Sequence, residues 1–122
     1  MARILVVDDE ADVREMLKQM LEREGHDIEL AFNGEQAIEL FRKNPSDLII
    51  TDIIMPEKEG IRTIFELKQE YPDVKIIAIS GGGRVKPQSY LDTAKAFGAM
   101  RTLKKPFGRV EIIEVIQEVL DA

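Results

Sequence analysis

Short apolar runs alternate with amphipathic segments along the chain, and this alternation limits the possible fold more than any other feature. Five runs of four to six residues are typical of strands: 3–7, 26–31, 47–52, 75–79 and 101–104. Between and after them, apolar residues recur at intervals of three and four, which predicts helices. The predicted helices cover residues 11–24, 35–43, 61–71, 89–97 and 108–120.

Strict alternation of strands and helices predicts a parallel sheet, because right-handed crossovers place helices on both of its faces. Of the two common doubly wound orders, 2-1-3-4-5 suits five units better than the six-stranded dinucleotide-binding fold. We therefore predict an α/β, flavodoxin-like fold with a five-stranded parallel sheet and five helices. A chain of 122 residues without a linker or repeat is predicted to form one domain over residues 1–122.

The composition argues against several function classes. The absence of cysteine excludes disulfides, thiolate metal sites and cysteine nucleophiles. A net charge of -6 argues against direct nucleic-acid binding, which depends on neutralising phosphates. No apolar run approaches the ~20 residues that a membrane helix needs, and the N-terminus leads into a strand pattern instead of a signal peptide. We therefore expect a cytoplasmic protein without membrane insertion.

Polar side chains stand at the ends of four predicted strands. The first strand is followed by Asp8 and Asp9, the third ends in Asp52, the fourth is followed by Ser80 and the fifth by Lys105. The carboxyl ends of parallel strands meet at one edge, so these side chains are predicted to converge. Two carboxylates about 5 Å apart repel by roughly 3 kcal/mol at an effective dielectric of ~20, so three of them need a cation, a proton or a hydrogen-bonded lysine, and a hard divalent ion is the natural choice. Magnesium prefers such oxygen ligands.

Each of these residues also has a purely structural interpretation. Asp9 or Glu10 could cap the first helix, since an aspartate after a strand is most often a turn or capping residue. Ser80 could be a turn hydroxyl and Lys105 a solvated side chain. Their coincidence at four strand ends on one edge favours a functional site. His26, the single histidine, is interpreted as a surface residue in a turn.

The sequence resembles the response regulator receiver domain, the phosphoacceptor module of two-component signalling, over essentially its whole length. Four segments occur in the family's order and at compatible spacing, and together they are specific for this family. They are Ile4-Leu5-Val6-Val7-Asp8-Asp9-Glu10, the D-x-x-x-x-D-x-x-M-P stretch from Asp47 to Pro56, Ser80, and Lys105-Pro106-Phe107. The resemblance implies that Asp52 accepts a phosphoryl group from the phosphohistidine of a histidine kinase or phosphotransfer protein.

The resemblance also implies roles for the neighbouring residues. Asp9, Asp52 and the main-chain carbonyl of Ile54 would bind Mg²⁺ directly, and Asp8 would act largely through a water. It further implies a signalling switch and not an enzyme.

Two other side chains complete the implied site. Ser80 and Lys105 would contact the phosphoryl oxygens. A downstream protein target would dock on the surface formed by the fourth helix, the fifth strand and the fifth helix.

Two features depart from the family's pattern. Thr102 stands where receivers usually carry an aromatic residue, and the loop that begins with Gly81-Gly82-Gly83 is a few residues longer than is usual. We therefore expect switching to depend on ordering of residues 81–97. The alternative function is a small metal-dependent phosphatase or phosphotransferase with an aspartyl nucleophile. It is disfavoured because the chain has no residues to spare for a substrate pocket or a cap.

Overall fold

The computed structural model describes residues 2–53, 59–80, 94–96, 98–105 and 107–122. Its strands are β1 (Arg3–Val7), β2 (Asp27–Ala31), β3 (Leu48–Asp52), β4 (Ile76–Ser80) and β5 (Arg101–Lys104). Its helices are α1 (Ala11–Arg23), α2 (Gly34–Lys43), α3 (Glu59–Glu70) and α4 (Arg109–Asp121). Residues 94–96 are also helical, and the rest of the helix predicted over 89–97 lies outside the described residues.

The five strands form one parallel sheet in the order β2-β1-β3-β4-β5, which confirms the predicted order. The central strand β3 is buried along its whole length. Its last residue, Asp52, pairs with Ile79, and Ser80 pairs with Lys104 on the next strand. This register brings the carboxyl ends of three neighbouring strands to one edge of the sheet.

The core has two layers, one on each face of the sheet. On one face, strand residues such as Leu5 and Ile49 pack with Phe41 of α2 and Leu67 of α3. On the other face, the core residues include Ile4, Val6, Leu17, Leu21, Ile112 and Ile116, which join the sheet to α1 and α4. Burial of each such side chain contributes about 1.5–3 kcal/mol. Because both faces are covered, the central strands read as continuous apolar runs in the sequence.

The start of α3 differs from the sequence prediction. The third helix was predicted to begin at residue 61, but α3 begins at Glu59 and Gly60 is buried in its first turn. A Cβ at Gly60 would lie 2.4 Å from the main-chain oxygen of Asp52 and 2.4 Å from the Cα of Ile53. Glycine therefore allows α3 to approach the end of β3, and this close approach leaves no mark on the local sequence pattern.

The turn between α1 and β2 also differs in one detail. Gly25 ends the first helix as predicted, with a positive φ of 90°. His26 was predicted as a surface residue, and this was wrong in part because its side chain is half-buried. Its Nδ1 accepts a hydrogen bond from the main-chain N–H of Ala2, with 3.2 Å between the two nitrogens.

Within the described ranges, none of the helices combines the length and the hydrophobicity that crossing a membrane would require.

Candidate functional site

Polar residues from four strand ends lie at the carboxyl edge of the sheet. Asp8 follows β1, Asp52 ends β3, Ser80 ends β4 and Lys105 follows β5. Asp8 is 1% exposed, Asp52 is 3% exposed and Ser80 is fully buried. Buried acids and hydroxyls carry a large desolvation cost unless they are paired. Their contacts at this edge therefore decide what the site can do.

Lys105 is the centre of the cluster. Its Nζ lies 3.0 Å from Oδ2 of Asp52, 3.3 Å from Oδ2 of Asp8 and 3.7 Å from Oε1 of Glu10. Burial lowers the pKa of the Lys105 ammonium, but the hydrogen bond to Asp52 and the charges of Asp52 and Asp8 outweigh it, so the pKa is raised above 10.5. The side chain is therefore positively charged at neutral pH and partly neutralises the acids.

Four carboxylates are grouped at this edge of the sheet. Asp8, Asp9, Glu10 and Asp52 each offer an oxygen, and these oxygens lie within 4.8 Å of one another. The pKa of Asp8 is raised to about 6, mainly because burial disfavours its charged form; the Asp52 charge adds to the rise, and the bonds from the Glu10 N–H and Lys105 oppose it. One lysine thus leaves excess negative charge. A set of hard oxygen donors with excess negative charge fits a divalent cation such as Mg²⁺.

The loop between β1 and α1 is held through three groups of Asp8. Its N–H donates to the oxygen of Ala31 at 3.2 Å, and its Oδ1 accepts the N–H of Glu10 at 2.9 Å. Its main-chain oxygen accepts Nη1 of Arg14 at 2.6 Å. Neither the Arg14 contact nor the approach of Glu10 to Lys105 was predicted from the sequence. The only available signal was that both residues follow the acidic pair closely.

The Ser80 hydroxyl is buried beside this cluster. Its Oγ has no hydrogen-bond partner among the described residues. The main-chain oxygen of Ser80 accepts the N–H of Lys105 at 2.7 Å, which ties the end of β4 to the residue that follows β5. An unsatisfied buried hydroxyl costs about 1–3 kcal/mol. The described residues therefore leave the hydrogen-bonding capacity of this buried hydroxyl unused.

Several residues singled out in the sequence lie away from the cluster or outside the described part of the chain. Asp47 lies at the opposite end of β3, where its Oδ2 accepts the N–H of Arg3 at 2.9 Å. Thr102 is half-buried in β5 and pairs with Ala78. The Ile54 carbonyl, Pro106 and most of the loop and helix over residues 81–97 fall outside the described residues.

Comparison with known proteins decides the family. The family model described as the response regulator receiver domain matches residues 4–117 of this sequence. The chain belongs to this family. It is 38% identical over 120 residues to the chemotaxis protein CheY of Bacillus subtilis strain 168, and the match covers 98% of each chain.

Solved receiver structures have the same fold. The receiver domain of NtrX from Brucella abortus matches with a TM-score of 0.90 at 30% identity, covering 98% of each chain. The response regulator TrrA from Thermotoga maritima, solved in complex with Mg²⁺-BeF, matches with a TM-score of 0.85 at 35% identity, covering 98% of this chain and 99% of that one. The fold is thus the five-stranded, five-helix receiver fold.

Membership in this family fixes the broad function. Receiver domains are phosphorylation-dependent switches of two-component signalling, and they interact with histidine kinases and downstream effectors. The alternative of a small metal-dependent phosphatase is not favoured by these relationships.

Proposed function

We propose that Asp52 is the phosphoacceptor of this receiver domain and takes its phosphoryl group from the phosphohistidine of a histidine kinase or phosphotransfer protein. The observation that carries the proposal is the 3.0 Å contact between Oδ2 of Asp52 and Nζ of Lys105. Asp52 ends the central strand and is nearly inaccessible to solvent. The contact gives this nucleophile a fixed cationic neighbour that can stabilise the charge of an incoming phosphoryl group.

In the proposed reaction, a carboxylate oxygen of Asp52 attacks the phosphorus and an acyl phosphate bond forms. The phosphorus–nitrogen bond breaks, and its electron pair leaves with the imidazole of the donor. No general base is needed because the nucleophile is already a carboxylate. Phosphoryl transfer depends mainly on positioning and charge stabilisation. Lys105 supplies both when it turns from the acids to a phosphoryl oxygen.

Asp8, Asp9 and Asp52 are proposed to hold Mg²⁺, together with the main-chain carbonyl of Ile54. The grouped carboxylate oxygens within 4.8 Å of one another support this assignment, as does the Mg²⁺-BeF complex of the related TrrA. When bound, Mg²⁺ supplies positive charge to the phosphoryl oxygens. Asp8, with its raised pKa, would then carry its charge at lower cost.

Ser80 is proposed to donate a hydrogen bond to the phosphoryl group, and its buried, unpaired Oγ supports this role. A phosphoryl group adds roughly -1.5 to -2 of charge and new acceptor oxygens. Pulling Ser80 toward it would shift the segment that follows, residues 81–97. That segment, β5 and α4 form the proposed docking surface for a downstream protein target.

We further infer that residues 1–122 act as one cytoplasmic phosphoacceptor domain and that the domain works as a switch and not as an enzyme. Family membership over residues 4–117 supports the first inference. The lack of cysteine in the sequence agrees with a reducing compartment.

The test is incubation with acetyl phosphate and Mg²⁺, followed by intact-mass measurement. The wild-type chain should gain a phosphate adduct, and Asp52→Asn should gain none. Asp47→Asn is the matched control, because Asp47 lies just before the same strand but at its opposite end. It should be phosphorylated like the wild type. An undiminished adduct on Asp52→Asn would exclude Asp52 as the acceptor.

A further inference from the structure

Arg14 reaches back from the first turn of α1 to the loop that carries the acids. Its Nη1 donates to the main-chain oxygen of Asp8 at 2.6 Å, while its own N–H donates to the oxygen of Glu10 at 3.1 Å. Helical side chains lean toward the N-terminus of their helix. An arginine at this position can therefore cover the turn between β1 and α1.

The stability of α1 does not explain a cation at this position. Basic residues near a helix N-terminus oppose the helix dipole, whereas Asp12 in the same turn agrees with it. The N-cap residue Glu10 makes no side-chain capping hydrogen bond. The loop is instead held through Asp8, and within the described part of the chain Arg14 is the only side chain that donates to the main-chain oxygen of Asp8. Its contact therefore serves the loop more than the helix.

The contact links the backbone positions of both aspartates. The carbonyl of Asp8 and the nitrogen and Cα of Asp9 belong to one planar peptide unit. A donor that holds the carbonyl oxygen of Asp8 therefore also restrains the backbone from which the Asp9 side chain leaves. Asp9 is exposed, and within the described residues no hydrogen bond or ion pair holds its carboxylate. Its direction thus depends on the backbone.

We propose that Arg14 is a positioning residue for the Mg²⁺ site: it holds the Asp8–Asp9 peptide so that both acids face the metal before it binds. The inference rests on the metal site proposed above. Arg14 affects the affinity of the site for Mg²⁺ in two opposite ways. As a positive charge near the site it repels Mg²⁺, whereas as a positioning group it favours binding. The proposal states that positioning outweighs repulsion.

The experiment is calorimetric titration with Mg²⁺ of the wild type and of Arg14→Ala, Arg14→Lys and Arg23→Ala. Loss of a group that orients a metal ligand weakens affinity by about 10- to 100-fold. We expect the Kd of Arg14→Ala to rise by about tenfold and that of Arg14→Lys by less. Arg23→Ala is the control, because Arg23 is an exposed arginine in the last turn of the same helix. Its Kd should stay within about twofold.

Two further measurements separate positioning from a general structural role. Unfolding in urea with EDTA should show similar stability for Arg14→Ala and the wild type. The rate of phosphorylation by acetyl phosphate should need more Mg²⁺ for half-saturation in Arg14→Ala but reach the same plateau. A lower plateau with an unchanged half-saturating concentration would instead indicate direct contact with the phosphoryl donor and overturn the proposal.

The other outcomes are also decisive. A Kd that is unchanged or lower in Arg14→Ala would show that charge repulsion dominates and would overturn the proposal. If Arg14→Ala does not fold, Arg14→Lys carries the same test, since its Kd must rise. Failure of the wild type to bind Mg²⁺ would instead refute the metal site, which distinguishes the two proposals.

Discussion

Replacing Asp8 with asparagine should stabilise the metal-free protein at neutral pH. Asp8 is 1% exposed and lies 3.3 Å from Nζ of Lys105. Burial raises its pKa from 3.8 to about 6; the Glu10 N–H opposes this and the Asp52 charge adds to it. Asparagine has nearly the same shape, and its Oδ1 can still accept the N–H of Glu10. It removes the charge that the site accommodates poorly, and with it the Oδ2 acceptor that faces Nζ of Lys105.

The size of this gain in the free energy of unfolding follows from the pKa of Asp8. The difference between 3.8 and about 6 corresponds to about 3 kcal/mol at neutral pH, since each pH unit is worth about 1.4 kcal/mol. This is an upper value, because asparagine does not reproduce every contact of the protonated acid. We therefore expect the free energy of unfolding to rise by about 2 kcal/mol in Asp8→Asn.

The pH dependence has a defined sign. Because the pKa of Asp8 is raised in the folded state, the neutral acid favours folding. This contribution to stability is fully present below pH 3.8 and is lost as the pH rises through about 6. The advantage of asparagine should therefore be full at about pH 7.5 and about half as large at about pH 5.

The assay is urea unfolding followed by circular dichroism at both pH values in EDTA. Asp9→Asn is the matched control, because it removes an equal charge from an exposed position in the same loop and should change stability much less. Added Mg²⁺ should stabilise the wild type more than Asp8→Asn, since binding to the folded state adds to stability. The reasoning is refuted if Asp8→Asn is no more stable than the wild type at neutral pH, or gains equally at both pH values.

Three further predictions concern single substitutions. Gly60→Ala should lose about 1–3 kcal/mol of stability in urea unfolding, because its Cβ would lie 2.4 Å from the Asp52 oxygen; unchanged stability would contradict this packing. Burial lowers the pKa of His26, so the wild type should lose stability relative to His26→Gln as the pH falls through 6.5; parallel pH profiles would contradict this. Lys105→Ala should slow phosphorylation by acetyl phosphate by about 100-fold, and wild-type rates would contradict the role of its charge.

The architecture could be predicted from the sequence because it follows from the spacing of the apolar residues. Alternating strands and helices require parallel pairing, and parallel pairing brings Asp8, Asp52 and Lys105 to one edge without any knowledge of distances. The ends of β1 and β3 were predicted because an aspartate stops each buried apolar run, whereas β4 extends one residue beyond its predicted end, to Ser80.

Other features depend on distances between segments, which local patterns do not contain. Gly60 was left out of the predicted third helix, because the close approach of α3 to β3 that requires this glycine has no local pattern. Arg14 lies in the predicted first helix, but its bond to Asp8 depends on how α1 leaves the sheet. The half-buried His26 depends on its contact with Ala2. The expected role of residues 81–97 in switching stays a prediction, because most of that segment lies outside the described residues.

The central claim is that one carboxylate, at the end of β3 and paired with Lys105, carries the phosphoryl group. The most direct test is to phosphorylate the chain with acetyl phosphate and Mg²⁺, reduce the acyl phosphate with borohydride and sequence the peptides by mass spectrometry. Reduction converts a phosphorylated aspartate to homoserine and so marks its position. The account predicts homoserine at position 52 alone, and homoserine at position 8 or 9 with an unmodified Asp52 would contradict it.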